Sequence, residues 1–337
     1  MPMSGNIWPV HFPPYQDEAF TSWFSRLSLY HFQVPSTFFK YNIPYRVDSW
    51  KQDLDVVCPD VILTEISRKC SQQKSSLYKH TFHCWRDRFD PYDGSSTALP
   101  RWITPTFIRR KTTHHHGWRM CIMCMRHKPY LKLFSRFHFT LACVEHRVVL
   151  IDKCSYCNYP VSSHKIFEPL FRDGVSDGLA FCHYCGHDFR LDKPAIASEA
   201  EIDLTSFCTQ TVVKGHCEIG INSLQYSHLF FEGFRLVCKA LLRPRLRELL
   251  DARIPEFDPS VFYQYHQHEI EFLSIEDARR ILVLGKWLLE EWPSRFLDIS
   301  TDLKLCYSDW ILPRDIFPYW FGSVTNKHLR RGRIIMK

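Results

Sequence analysis

The stretch from residue 121 to residue 185 contains four short pairs of metal-binding residue types: CIMC (121–124), CVEH (143–146), CSYC (154–157) and CHYC (182–185). In each pair two residues separate the potential ligands, so both can face one ion from a single tight turn. The pairs provide seven cysteines and one histidine, the number of ligands that two tetrahedral zinc sites require. The stretch therefore predicts two structural Zn²⁺ ions per chain, bound by Cys121, Cys124, Cys143, His146, Cys154, Cys157, Cys182 and Cys185.

Two wiring schemes would satisfy these eight ligands. In the sequential scheme the first two pairs bind one ion and the last two pairs bind the other. In a cross-brace, the first and third pairs share one ion and the second and fourth share the other. We favour the sequential scheme because each intervening loop is long enough for a ribbon hairpin, with Val148–Ile151 able to supply a strand. Either scheme leaves four protein ligands per ion and no position for water, so the metal is expected to stabilise the fold and not to catalyse.

The composition is that of a globular protein, with 45% hydrophobic and 23% charged residues among 337. No apolar run approaches the roughly 18 residues that span a bilayer, and the first residues lack the pattern of a secretory signal. With fourteen cysteines and no sign of export, metal ligation in a bacterial cytoplasm is expected over a disulfide framework. The formal charge of +7 is compatible with nucleic-acid binding but is weak support for it.

Residues 1–117 are predicted to form a small helical domain. Asp17 is a plausible N-cap for the first helix, and Ser36 for a second helix that follows Pro35. A third helix is predicted from about Val61 to Cys70, and residues 71–78 would continue after a tight polar turn. Two short helices joined this closely outline a helix-turn-helix, although any helical bundle contains such pairs. Three cysteines here lack partners at metal spacing and are expected to be buried small hydrophobes: Cys58, Cys70 and Cys84.

The C-terminal part, residues 196–337, is predicted to be helical. One long helix is expected from Ser223 to Leu250, broken near Pro244, and another is expected to begin after a cap at Ser274. Four further cysteines are too scattered for a third metal site: Cys208, Cys217, Cys238 and Cys306.

Basic clusters lie before the first metal-ligand pair, at the end of the long predicted helix, and in the C-terminal tail. Each Lys or Arg that contacts a phosphate adds affinity that depends on salt and not on sequence. The neighbouring run His114, His115 and His116 is interpreted as a loop, because three consecutive side chains cannot all face one ion in regular structure. The candidate contacts with nucleic acid or a partner are Arg109, Arg110, Lys111, Arg243, Arg245, Arg247, Arg330, Arg331 and Arg333.

The sequence does not indicate an enzyme. Glu145 followed by the pair at 154–157 superficially echoes a zinc deaminase, in which a glutamate moves the proton. However, Lys153 replaces the expected proline, and only eight residues separate Glu145 from Cys154. The chain also contains no HExxH, GxxxxGK[ST] or GxSxG motif.

The order of these motifs resembles the TniQ family of transposon target-selection proteins, which also includes the TnsD attachment-site binders. The family opens with a P-x-P-D-E-S-x-x-S-W-x-x-R-L signature, and residues 17–27 here read DEAFTSWFSRL. The pairs at 121–124, 143–146 and 154–157, with Leu150 between the last two, follow the family's C-P-x-C, C-x-x-H-x-x-x-L and C-P-x-C order. Prolines expected after the first cysteine of a pair are replaced, but no ligand is lost. The resemblance covers about residues 9 to 190.

The resemblance implies a mainly α fold with small zinc-ribbon β elements. Its parts would be an N-terminal helix-turn-helix domain (1–117), two tandem zinc ribbons (118–195) and a C-terminal helical domain with a basic tail (196–337). It further implies a non-catalytic adaptor that connects a target site to an AAA+ ATPase regulator and a transposase. The short chain favours docking on an RNA-guided CRISPR Cascade complex, where the resemblance also implies a homodimer. The alternatives are a TnsD-like protein that reads an attachment site directly, and a zinc-ribbon DNA-binding regulator unrelated to transposition.

Overall fold

The computed structural model describes residues 7–45, 50, 52–90, 100–106, 117–172, 177–220, 223–243, 246, 269–313 and 315–329. The chain divides into two compact units. Unit 1 comprises Met1–Arg86 with Thr97–Ser198, and unit 2 comprises Asp87–Ser96 with Glu199–Lys337. The N-terminal helical part of unit 1, Met1–Arg86, is called the head below. The head and the cysteine-rich region thus belong to one compact unit. The finer division at residues 117 and 195 stays a prediction.

The head of unit 1 is built from short helices around an aromatic core. Trp23, Phe24 and Phe39 are fully buried in it. The ring of Phe24 lies 5.8 Å from that of Phe39 and 4.9 Å from that of Trp50, centroid to centroid, so the second helix and Trp50 pack against the first helix. The helices are α1 Phe20–Tyr30, α2 Pro35–Asn42, α3 Asp60–Cys70, α4 Lys74–Tyr78 and α5 Arg86–Phe89, the last of which ends beyond the boundary of unit 1.

The predicted helix caps at Asp17 and Ser36 are wrong. The first helix is preceded by Ala19 and the second by Val34, and neither has a side-chain cap. Instead, the Asp17 carboxylate accepts a hydrogen bond from the hydroxyl of Tyr130, 2.7 Å away. A long-range polar contact has displaced the local capping role that propensity favours.

The predicted third helix and the turn after it are confirmed. Helix α3 ends at Cys70, and Ser71 adopts the left-handed conformation (φ 54°) that starts the turn into α4. Cys58 and Cys70 are buried, as predicted, because their thiols fill small spaces in the head. Cys84, in contrast, is exposed, so the prediction of burial is wrong there.

The cysteine-rich part of unit 1 consists of turns and very short elements. Strand β1 Ala142–Cys143 pairs antiparallel with β2 Val148–Val149, and this hairpin carries the second metal-ligand pair. Gly117 begins the region in a space so tight that an added Cβ would lie 2.2 Å from the amide nitrogen of Val161. The helices are α6 Ile122–His127 and α7 Glu168–Arg172, with 3₁₀ turns at Leu133–Arg136, Gly178–Ala180 and Phe189–Leu191.

The described residues of unit 2 form a helical bundle and a β-hairpin. Strands β3 His216–Ile219 and β4 Ser223–Tyr226 pair antiparallel. The predicted single helix from Ser223 is therefore wrong at its start, because these four residues alternate in exposure as a strand does. The cap at Ser274 is confirmed, since its hydroxyl accepts the amide hydrogen of Asp277. The helices are α8 Glu199–Lys214, α9 Ser227–Leu241, α10 Ile275–Glu290, α11 Ser294–Asp302, α12 Tyr307–Trp310 and α13 Tyr319–His328.

The predicted fold class, mainly α with small β elements around the cysteine pairs, is confirmed. Helix α10 packs against α8 and α9 and forms the centre of unit 2. Within the described part of the chain, none of the helices combines the length and apolar character that a membrane crossing requires.

Candidate metal centres

The first cluster joins the start of helix α6 to the β1–β2 hairpin. Cys121 is the N-cap of α6, and its Sγ accepts the amide hydrogen of Cys124 at 3.4 Å. Nδ1 of His146 lies 3.7, 3.4 and 3.4 Å from the sulfurs of Cys121, Cys124 and Cys143. Arg147 adopts a positive φ of 55°, which turns the chain sharply between the two strands. The hairpin thereby brings the imidazole back onto the thiols.

The second cluster is made of two equivalent loops. The amide of Cys154 donates to the carbonyl of Tyr159, and the amide of Cys182 donates to that of His187, at 2.9 and 2.8 Å. Each loop has a residue with positive φ immediately after its second cysteine: Asn158 at 57° and Gly186 at 76°. The sulfurs of the two loops face each other, at 3.7 Å for Cys154–Cys185 and 3.6 Å for Cys157–Cys182.

These groupings correspond to sequential wiring. Within each cluster the four potential ligand atoms all lie within 4.8 Å of one another. The first and second pairs form one cluster and the third and fourth form the other, so a cross-brace does not describe this arrangement.

The spacing of the donors fits zinc. With Zn–S bonds of about 2.3 Å and Zn–N bonds of about 2.0–2.1 Å, a tetrahedral site places two sulfurs roughly 3.7 Å apart and a sulfur and nitrogen roughly 3.5 Å apart. The distances of 3.6–3.8 Å between sulfurs and 3.4–3.7 Å between sulfur and nitrogen match those edges. Two zinc ions could therefore be bound, one by each cluster, with thiolate and imidazole donors that this metal prefers.

The thiols of the first cluster influence each other strongly. Hydrogen bonds from Cys121 and Cys124 hold the pKa of Cys143 well below its usual range. Hydrogen bonds with Cys121 and Cys143 raise the pKa of Cys124 far above it, because they favour the protonated thiol, and repulsion by the neighbouring thiolates adds to the rise. A divalent cation between the sulfurs would remove this conflict and allow all three to ionise.

The two clusters are joined directly to each other. The guanidinium of Arg126, on α6, donates to the backbone carbonyls of Arg190 and Asp192, each at 2.8 Å. From the other side, the amide of Val149 donates to the carbonyl of Ala195 at 2.8 Å. The second cluster is thus held against the hairpin and helix of the first.

The family signature at residues 17–27 fastens the head to this region. Glu18 is fully buried and accepts hydrogen bonds from Arg26, at 2.7 and 2.8 Å, and from the hydroxyl of Ser22. That hydroxyl in turn accepts the amide hydrogen of Leu131, while the amide of Ala19 donates to the Leu131 carbonyl. The sequence suggested an ordinary first helical turn. In the structure Glu18 binds within the signature, whereas Asp17 and Ser22 form hydrogen bonds with Tyr130 and Leu131, more than 100 residues away.

A second buried network was not foreseen from the sequence. Arg136 is completely buried and forms a two-pronged ion pair with Asp53, at 2.6 and 2.5 Å. Asp55 lies 3.8 Å from the same guanidinium and accepts the amide hydrogen of Thr21. The pKa of Asp55 is raised to about 7, first by burial and then by the neighbouring Asp53, while Arg136 and Thr21 oppose the rise. Because Arg136 and Asp53 are 83 residues apart, no local sequence pattern indicates that they pair.

The predicted basic contacts are mostly outside the described residues. Arg243 is described, and its guanidinium donates to the backbone carbonyl of Asp309 at 2.6 Å, so it supports the packing of unit 2. The sequence also missed two exposed tyrosines at the same position of both loops in the second cluster, Tyr156 and Tyr184. The remaining candidates and the three histidines lie outside the described residues: Arg109, Arg110, Lys111, His114, His115, His116, Arg245, Arg247, Arg330, Arg331 and Arg333.

Residues 9–150 match the model of the TniQ family. The matched region contains the head, its signature and the complete first cluster, and it ends before the second cluster begins. No curated protein matches the chain. The resemblance read from the motifs is therefore confirmed for this region.

Proposed function

We propose, on the premise that this chain carries a TniQ domain and is associated with transposition, that it is a non-catalytic target-selection adaptor. In the bacterial cytoplasm it would connect an RNA-guided CRISPR Cascade complex at the target to an AAA+ ATPase regulator and its transposase. Two structural zinc ions would hold it in shape. The match over residues 9–150 is the observation that carries the proposal, since TniQ proteins are non-catalytic accessory factors of transposition.

The construction of unit 1 supports an adaptor. An adaptor has to present partner-binding surfaces in a fixed arrangement, and rigid elements do this more precisely than loops. Here the buried Asp53–Arg136 ion pair joins the head to the cluster region, and the backbone of Leu131 is hydrogen-bonded to Ser22 and Ala19 of the head. The chemistry of both clusters, with four protein donors each, is that of closed structural sites.

The charges of α3 and α4, the predicted helix-turn-helix, favour an adaptor over a direct reader of duplex DNA. A recognition helix needs several side chains in the major groove, but α4 has only five residues, and its Leu77 is buried. Lys74 pairs with Asp60 at 2.5 Å, and Arg68 pairs with Glu65 at 2.6 Å. These cations already have acidic partners, which weakens the phosphate attraction that non-specific DNA binding requires.

Reconstitution of the complex tests the proposal. The purified chain is mixed with the guide-loaded Cascade complex encoded beside it, then with the AAA+ regulator, and each mixture is analysed by size-exclusion chromatography. We expect co-elution with Cascade and recruitment of the regulator only when the chain is present. Matched mixtures without the chain and without guide RNA are the controls.

Gel shifts separate this role from the direct-binding alternative. The chain alone is titrated onto attachment-site and random duplexes near physiological salt. Tight, site-specific binding by the chain alone would refute the guide-dependent model and favour a TnsD-like reader. A gene that lies far from transposase, AAA+ and Cascade genes would contradict both roles and favour an unrelated zinc-ribbon regulator.

A further inference from the structure

The second metal cluster displays tyrosines in a regular arrangement. Tyr156 and Tyr184 occupy the third position of their CxxC loops, and their side chains are 79% and 61% exposed. Large aromatic side chains at such exposure contribute little to the core. Two equivalent loops that both place one at the same position therefore point to a surface used for binding.

Each of these tyrosines stacks on a ring of the opposite loop. Tyr184 lies on Tyr159 with a centroid distance of 4.2 Å and an interplanar angle of 3°. Tyr156 lies beside His187 at 6.1 Å and 15°. The cluster thus fixes the orientation of exposed aromatic rings, which reduces the conformational entropy that a ligand would lose on stacking against them.

Positive charge accompanies the tighter stack. His183 meets the ring of Tyr159 edge-on at 5.4 Å, and the exposed ammonium of Lys165 is near enough to act electrostatically on His183. Lys153 immediately precedes the first loop and pairs through its backbone with Pro160, next to Tyr159. On the other side, the Asp192 carboxylate is already hydrogen-bonded to His187 and Ser155.

We propose that Tyr156, Tyr159 and Tyr184, the tyrosine face, bind a single-stranded nucleic acid by stacking against its bases while Lys153 and Lys165 pair with its phosphates. Fixed aromatic rings beside a few cations are the combination by which single strands are bound without strong sequence preference. A duplex hides the flat faces of its bases, so it does not fit this surface. The inference is independent of the adaptor role, because it concerns the second cluster and needs no Cascade or ATPase.

Fluorescence anisotropy with the full chain tests the tyrosine face. The probes are labelled 12-residue RNA and DNA strands of one sequence and the corresponding DNA duplex. Removing one stacked ring, in Tyr184→Ala, should weaken single-strand binding by roughly 5- to 150-fold, the range for one base–aromatic stack. Tyr184→Phe should retain most of the affinity. Tyr319→Ala removes a tyrosine of unit 2 that is even more exposed than Tyr184 and should not change the affinity.

The salt dependence tests the lysines separately. Replacing both Lys153 and Lys165 with Gln should reduce the slope of log K against log salt by about 1.4, or about 0.7 per phosphate contact. Zinc content is measured for every variant, so that loss of the cluster is recognised and excluded. Tighter binding of RNA or of DNA would identify the source of the strand and supports the proposal either way. Three results would overturn the proposal: failure of both strands to bind, equal binding of the duplex, or full affinity in the double variant Tyr156→Ala/Tyr184→Ala.

Discussion

Unit 1 gathers eight potential ligands into two clusters, whereas unit 2 disperses three of its cysteines through an apolar helical core. In unit 1, sulfurs from different pairs lie 3.6–3.8 Å apart, and three of the cluster cysteines are partly exposed: Cys124, Cys157 and Cys185. In unit 2, Cys208, Cys217 and Cys238 are buried, and burial raises the pKa of the Cys217 thiol to about 12. The same residue type is a metal donor where sulfurs converge and a small hydrophobe where they do not.

The two units consequently depend on different forces. Unit 2 has long helices, and α10 buries Ile281 and Leu288 completely against its neighbours. The cluster region of unit 1 has strands of two residues and helices of six or fewer, which cannot supply comparable apolar burial. Metal ligation is therefore expected to provide the stability of that region, and hydrophobic packing that of unit 2.

The largest effect is expected from removal of a metal ligand. Cys143→Ser or Cys182→Ser should lower the zinc content from two ions to one and leave the protein insoluble or partly unfolded. Structural zinc contributes about 10–16 kcal/mol in small metal-folded peptides, which exceeds the usual net stability of a domain. Elemental analysis and circular dichroism provide the measurements.

The matched control for these variants is Cys84→Ser, which alters an exposed cysteine of the same unit outside both clusters. It should retain two zinc ions and normal solubility. A soluble, stable Cys143→Ser protein with unchanged zinc content would contradict the ligand assignment and with it the contrast between the units.

Loss of Arg136 should have the next largest effect. Arg136→Met leaves the buried carboxylates of Asp53 and Asp55 without their cation, and breaking a buried ion pair in this way costs about 3–5 kcal/mol. Urea unfolding of unit 1 measures the loss. In unit 2, Arg235 pairs with Glu271 at 2.8 Å, but its side chain is 11% exposed against none for Arg136.

Arg235→Met is therefore the matched control. Its expected loss is smaller because one of the two carboxylates beside Arg235, Glu269, is 47% exposed, whereas Asp53 and Asp55 beside Arg136 are 15% and 0% exposed. Both variants should keep two zinc ions. An equal or larger loss of stability in Arg235→Met would contradict this prediction. It would mean that the Asp53–Arg136 ion pair stabilises the junction between the head and the clusters less than the burial of Arg136 implies.

A pH dependence should arise from Asp55. Its pKa is about 7 in the folded chain, chiefly through burial, against 3.8 as the ordinary value. The folded state therefore binds the proton more tightly, and this contribution to stability is complete below pH 3.8 and disappears as pH rises through 7. Asp55→Asn should remove that decline in stability. The change should be smaller than the loss caused by Arg136→Met, because Arg136 and Thr21 already compensate the charge of Asp55.

The measurement is the difference in unfolding free energy between wild type and Asp55→Asn from pH 5 to pH 8. Taking the difference cancels the pH dependence of metal binding, which both proteins share. A difference that stays constant over this range would show that Asp55 is ionised throughout and held by Arg136 alone.

The contrast between the units also explains how far the sequence could be read. The spacing of metal ligands is visible in the sequence, so the four pairs predicted both clusters. Apolar periodicity predicted helix α3, and periodicity together with the cap at Ser274 predicted α10. Arg136 and Asp53 pair across 83 positions, and Asp17 binds Tyr130, so no local rule could find them. Strand β4 was missed because four residues beside a strongly periodic helix carry too little pattern of their own.

The smallest effect should come from a cysteine of unit 2. Cys208 is completely buried, and burial raises its pKa well above the ordinary value, so its thiol stays neutral. Cys208→Ala removes one buried heavy atom and should cost about 1 kcal/mol, as deletion of a single buried group does. Cys208→Ser keeps the size but buries a hydroxyl, so it should be the more damaging change. Both should retain two zinc ions. If Cys208→Ala lost zinc, or if serine were tolerated better than alanine, the thiol would be acting as a polar ligand and the distinction between the two units would fail.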